Sequence, residues 1–490
     1  MTRRSLRVLA PYLLMVVAPL AIGVLVLRTG TGFETSSAGS KPGGATDTFA
    51  KLLLALPVIL LACHLLAAVF RRLGQPPVMG EIIAGVLLGP SLLGWAWPAG
   101  FHWLLPAELT PSINVLAQVG LVLFMFLVGH ELNVGLLRHR AKAAVMVSHA
   151  SIALPFLSGI VLALQMYGSL GEGVSSTGFA LFFAVSMSIT AFPVLARILH
   201  DRGMSGSELA SLALTCAAVD DVTAWCLLAV VTAVATGTSV AATGLTVVLT
   251  IAFVAVMLLV VKPLMARLLT PREEGARGEG GEADGTRGPR GVPASAALSI
   301  LLGGLLLSAF ATEKIGIHPI FGAFLFGAIT PRGLPQVKHA TDQVRGLTVT
   351  FLLPLFFVYT GLRSSFGLLG TDASLWLWCS VITLVAITGK WVASTVAARV
   401  SGIGRRDAWS IGALMNCRGL TELVVLNVGL DLKIISPTVF TMLVIMTLVT
   451  TMITAPALSL IERFFRGTPP ETPSPEPRVP ADARLGSGVA

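Results

Sequence analysis

Asp220 and Asp221 lie side by side in LALTCAAVDDVTAWCLLAVV, with apolar residues for more than two turns on either side. An ionisable group inside a membrane costs roughly 2.5–3.5 kcal/mol on insertion scales and marks function by default. Neighbouring helix positions point about 100° apart, so one carboxylate can face a water-filled cavity while the other faces a packed helix. A carboxylate so placed can hold a proton or a hard cation; the bland alternative is a pair of structural caps at a helix end. Lys390, in LWLWCSVITLVAITGKWVASTVAARV, is too deep to snorkel comfortably to either surface. It needs an acidic partner or must give up its proton, unless the helix tilts enough to release it.

Two further stretches interrupt apolar helices with polar groups. In FALFFAVSMSITAFPVLARIL, Ser186, Ser188, Thr190 and Pro193 fall in the middle. Proline removes a backbone donor and clashes with the preceding turn, which frees carbonyls beside the hydroxyls. Carbonyl and hydroxyl oxygens are hard ligands suited to a small cation; an ordinary patched kink is the plainer reading. In GALMNCRGLTELVVLNVG, Arg418 and Glu422 are four apart and can pair on one helix face, with Asn416 and the helix-weakening Gly419 beside them. That pair reads equally as structural and functional. Glu81, His130 and Glu131 sit near span ends and read as structural or interfacial.

The elements that must position these groups are membrane helices. The chain of 490 residues is 54% hydrophobic and 12% charged, about half the usual charge of a soluble domain. Apolar runs of about 20 residues, without strict alternation, are long enough to cross the hydrocarbon core as helices. They fall near 8–27, 50–70, 77–94, 113–130, 142–165, 178–199, 207–235, 244–266, 294–312, 315–331, 347–362, 374–398, 408–430 and 437–461. Lys and Arg concentrate in alternate connections, while 95–112, 166–177 and 236–243 have none. This obeys the positive-inside rule with both termini cytoplasmic, so the net charge of +9 reports orientation and not nucleic-acid binding.

Residues 1–49 hold an extra helix or a signal-like segment followed by an outside loop. Residues 50–269 form a first half with the Asp–Asp helix, and 270–293 a flexible linker rich in Pro, Gly, Glu and Arg. Residues 294–465 form a second half with the lysine helix, and 466–490 a disordered Pro-rich cytoplasmic tail. The five cysteines are scattered without metal-like spacing, and no nucleotide-binding motif is present, so neither a cofactor nor a nucleotide is expected. No nucleophile–base set points to an enzyme.

By the charge alternation, spans 142–165, 178–199 and 207–235 enter from the cytoplasm, and spans 374–398, 408–430 and 437–461 from outside. Each triplet has a polar, interrupted middle helix and a neighbour with buried charge. Inverted-repeat transporters place their sites where such broken helices meet near the midplane. The expected fold is therefore an all-α polytopic membrane protein.

GEIIAGVLLGPSLLG, GHELN, ITAFPVLARIL, AAVDDVTAWCLLA, the lysine of LVAITGKWVAS and NCRGLTELVVLNVG, in this order, resemble the cation:proton antiporter superfamily, in its bacterial sodium/hydrogen and potassium/proton exchanger branch. The resemblance covers residues from about 50 to 460. It implies the sodium/proton antiporter fold, with two crossed broken helices in a six-helix core and a panel of helices that forms a homodimer. It further implies that Asp221 binds the monovalent cation, that Asp220 pairs with Lys390, and that Thr190 with nearby carbonyls completes the site. Ser186, Ser188, Pro193, Asn416, Arg418 and Glu422 would support it. The expected activity is exchange of Na⁺ or K⁺ for H⁺ across the plasma membrane; the alternatives are a sodium-coupled organic anion symporter of the same fold, or a non-cycling channel or sensor.

Overall fold

The computed structural model describes residues 44–131, 141–171, 175–204, 207–236, 240–270 and 293–466. The expected span near 8–27, the linker across 271–292 and the tail beyond 466 lie outside them. The chain divides at Phe49/Ala50 into two units, and apart from the first residues of α1 everything discussed below lies in the second.

We number the main helices α1 (Gly44–Arg72), α2 (Pro77–Leu88), α3 (Thr110–Glu131), α4 (Ala141–Leu170), α5 (Ser176–Ser188), α6 (Phe192–Asp201), α7 (Glu208–Thr236), α8 (Val240–Val256), α9 (Lys262–Leu269), α10 (Ala294–Ile315), α11 (Pro319–Ile329), α12 (Pro335–Leu347), α13 (Leu353–Arg363), α14 (Ala373–Val400), α15 (Arg405–Met415), α16 (Leu420–Asp431) and α17 (Pro437–Phe464). Among the described residues, twelve helices are long and apolar enough to cross a membrane when broken ones are joined, and α11 is a shorter apolar helix. Every expected span from residue 50 onward has its helix. The span expected over 315–331 is cut short: Gly316 ends α10 at a φ of 95°, and Pro319 starts α11 in its first turn.

Two packing groups emerge. Helices α4 to α7 and α14 to α17 pack chiefly on one another, and α2, α3 and α10 to α13 form a second group. Small residues let backbones touch where panel helices cross. A Cβ on Gly361 of α13 would sit 2.0 Å from the carbonyl carbon of Gly85 on α2, so that crossing admits glycine only. Helix α8, joined to α9 by a π-helical turn over Met257–Val261, bridges the groups and is almost wholly exposed and apolar, as a lipid-facing helix must be.

The span near 178–199 is two half-helices, α5 and α6, separated by extended residues 189–191. Pro193 falls in the first turn of α6, where its fixed φ suits a helix start and its missing N–H costs nothing. The span near 408–430 is likewise split into α15 and α16. Gly419 stands at that break with φ 150° and ψ −125°, a conformation essentially restricted to glycine. A Cβ there would also meet Val194 of α6 at 2.7 Å.

Candidate functional site

The two breaks are stitched together. The Ala191 N–H donates to the Cys417 carbonyl at 3.0 Å, and the Thr190 hydroxyl oxygen lies 3.1 Å from the Met415 carbonyl. Four half-helix ends therefore meet in one place. Helix C-termini carry partial negative charge and unpaired carbonyls, while N-termini carry partial positive charge and unpaired N–H groups.

The cations go to the carbonyl ends. Arg418, wholly buried, donates from Nη1 to the Ser186 carbonyl at 2.6 Å and from Nη2 to the Met187 carbonyl, both in the last turn of α5. Its Nη1 also lies 3.2 Å from Glu422 Oε2, in the first turn of α16. Lys390 Nζ donates to the Ser188 carbonyl and, at 3.3 Å, to the Ser151 carbonyl of α4. Ser151 has that carbonyl to spare because Pro155, four residues on, has no N–H to offer it. The carbonyls that the α5 break frees thus hold side-chain cations in this structure.

The two aspartates of α7 differ sharply. Asp220 is saturated. Its Oδ1 accepts from Ser148 at 2.5 Å, its Oδ2 from Thr190 at 2.7 Å, and the Ser151 hydroxyl lies 3.1 and 2.9 Å from the two oxygens. Lys390 Nζ stands 3.4 Å from Oδ2. Asp221 has the opposite surroundings: it is 1% exposed, yet among the described residues neither of its oxygens accepts a hydrogen bond. The Phe192 N–H at the head of α6 lies close by, outside hydrogen-bond geometry. A bare carboxylate anion is too costly in a low-dielectric interior, so such a group carries a proton or a cation. At the two breaks, Ser186 Oγ, both polar atoms of Asn416 and Glu422 Oε1 are also buried without hydrogen-bond partners among the described residues.

Every residue singled out in the sequence for this region lies at the two breaks or on the helices beside them. The Ser188 hydroxyl is directed to carbonyls of Ala184 and Ile152, and Thr190 to Asp220. Glu131 lies apart, paired with Arg345 at 2.6 Å on the surface. Sequence reasoning missed Ser148, Ser151 and Pro155. The available signal was the run SHASIALP, two hydroxyls three apart and a proline four beyond the second, in a span otherwise read as plain.

A membrane bundle with two broken helices back to back, charged side chains on their ends and one unsatisfied acid between them defines a secondary transporter of the inverted-repeat class. The transmembrane sodium/hydrogen exchanger family matches residues 58–461. The chain belongs to that family. It is 41% identical over 413 residues to the Na⁺/H⁺ antiporter NhaS4 of a Synechocystis species, covering 84% of this chain and 97% of that protein. It is 34% identical over 444 residues to Cation/H⁺ antiporter 19 of Arabidopsis thaliana, covering 87% of this chain and 53% of that one. It is 32% identical over 412 residues to K⁺/H⁺ antiporter 1 of Saccharomyces cerevisiae, covering 82% and 45%. The chain thus spans about half the length of the plant and yeast relatives. The solved structure of the sodium proton antiporter MjNhaP1 from Methanocaldococcus jannaschii shares the fold, with a TM-score of 0.57 at 14% identity over 85% of this chain and 98% of that one.

Proposed function

We propose that this protein exchanges Na⁺ or K⁺ for protons across the cytoplasmic membrane, with Asp221 as the seat that cation and proton occupy in turn. The observation that carries this reading is the contrast between the two aspartates. Asp220 has its acceptor sites filled by protein donors, and Asp221 has none filled while wholly removed from water. A proton on Asp221 blocks its oxygens to a cation, and a cation there displaces the proton, so competition for one group couples the two flows. The activities for which the relatives are named, Na⁺/H⁺ and K⁺/H⁺ antiport, agree with it.

Alternating access is the motion we assign. At the end rich in basic residues, cytoplasmic by the charge rule, a cavity of about 410 Å³ opens between the end of α1, α6 and α17, lined among others by Arg71, Gln75, Asp201 and Arg202. At the opposite end the groups are tied: Arg363 on α13 pairs with Asp431 of α16 at 2.6 Å, and Asn427 of α16 donates to Thr360 of α13 at 2.8 Å. A cavity at one end and a tie at the other are what a carrier facing one side would have. The core would rock against the panel, and the panel would pair with that of a second copy.

The test is purified protein in proteoliposomes with an imposed pH gradient. Addition of Na⁺, K⁺ or Li⁺ should dissipate the gradient at neutral to alkaline pH and fail to do so at acid pH, where protons hold the seat. A gradient that none of the three cations alters across that range refutes antiport.

A further inference from the structure

We propose that Ser148, Ser151 and Pro155 of α4 are positioning residues for this exchange, acting through Asp220 and Lys390. The inference rests on the antiport reading and deepens it by saying why two adjacent carboxylates behave differently.

Asp220 and Asp221 share a helix and a depth, and both are wholly buried. What separates them is the set of donors each faces. Two of the three hydroxyls on Asp220 come from α4, at positions three apart that share one helix face. The third, Thr190, comes from the break. On the next turn of α4, Pro155 withholds an N–H, and the Ser151 carbonyl turns to Lys390 instead. Ser151 therefore serves both partners of the ion pair, the anion through its hydroxyl and the cation through its carbonyl. Asp220 is left with no oxygen free for a transported cation, and Lys390 is held by two peptide carbonyls.

Removal of both hydroxyls strips Oδ1 of Asp220 of its donors. A buried anionic oxygen without donors takes the nearest cation, and the nearest mobile one is the transported ion at Asp221. Binding then tightens and release slows. The expected result for Ser148→Ala/Ser151→Ala is a joint fall in KM for Na⁺ and in kcat, each about tenfold, since a hydrogen bond to a charged group is worth about one to two decades. Ser148→Thr keeps a donor and should restore both constants toward wild type. Pro155→Ala returns an N–H to the Ser151 carbonyl, loosens Lys390, and should lower kcat. Ser158→Ala, on the same helix with its hydroxyl on the Pro155 carbonyl, should leave both constants unchanged.

KM in proteoliposomes does not depend on how much protein survives folding, so a structural role alone would lower the rate without moving KM. An unchanged KM in the double variant, with or without a lower rate, overturns the proposal while leaving antiport by the wild type intact. A second measurement needs no transport. Infrared spectra with isotope-labelled aspartate should show one carboxylate band shift in Ser148→Ala/Ser151→Ala and none in Ser158→Ala. An unshifted band overturns the proposal even if the wild type exchanges nothing.

Discussion

Arg418→Met is the sharpest probe of what holds the two breaks together. The guanidinium is wholly buried, bonds the Ser186 and Met187 carbonyls, and pairs with Glu422 at 3.2 Å. Methionine fills much of the same volume and offers no donor. Stranding one partner of a buried ion pair costs about 3–5 kcal/mol, and Glu422 can limit that by taking up a proton. Each carbonyl left without a donor adds about 1–3 kcal/mol. A total near 5 kcal/mol is comparable to the whole stability of many proteins. The second substitution separates the contributions: in Arg418→Met/Glu422→Leu the stranded acid is gone, so about 3 kcal/mol should return, while the cost of two unpaired carbonyls remains. Equilibrium unfolding in mixed detergent micelles, followed by circular dichroism, reads both differences. Arg418→Met within about 1 kcal/mol of wild type, or a double variant no more stable than the single one, refutes the view that Arg418 clamps the breaks.

Asp221→Asn should abolish cation-driven proton movement in proteoliposomes and remove any rise in thermal midpoint on adding Na⁺ or K⁺, while the circular dichroism spectrum stays unchanged. Gly419→Ala should destabilise by about 1–3 kcal/mol, read in the same unfolding assay, because its φ of 150° excludes a side chain and Val194 occupies the space. Asp431→Asn weakens a partly exposed tie to Arg363, so stability should move by less than about 1 kcal/mol, and turnover should rise if that tie must open in each cycle. Asp372 caps α14 by accepting from the Ser374 N–H at 2.8 Å, and the Ser374 hydroxyl together with that N–H holds its carboxyl below the usual range. The folded state then binds the proton less well than the unfolded one, so the cap's contribution is present above the unfolded pKa and lost as pH falls through the folded one. Asp372→Ala should lower the thermal midpoint at neutral pH, and the difference should shrink and vanish as acid protonates that carboxyl in the folded state.

The spans and their order were legible because lipid forces each crossing to be long, apolar and helical, and Asp220, Asp221 and Lys390 are conspicuous against that background. The breaks were legible for a related reason: Pro193 and Gly419 are poor interior helix residues, and hydroxyls or charges surround both. The donors on Asp220 were not legible. Ser148 and Ser151 are ordinary in a membrane helix, and only the packing of α4 on α7 shows which face they occupy. Nor does any pattern in the chain say that Arg418 and Lys390 would take the open carbonyls of α5. That depends on how two helices more than 200 residues apart cross, a tertiary fact with no local signature.

The backbone hydrogen bond from Ala191 to Cys417, with Arg418 reaching back over it to the end of α5, has a mechanical corollary. What joins the two broken spans is a rivet at their common centre. Neither unwound segment can slide without dragging its counterpart, so an arriving ion cannot reshape one side of its berth alone. Strain set up at one break is therefore expected to reach the other.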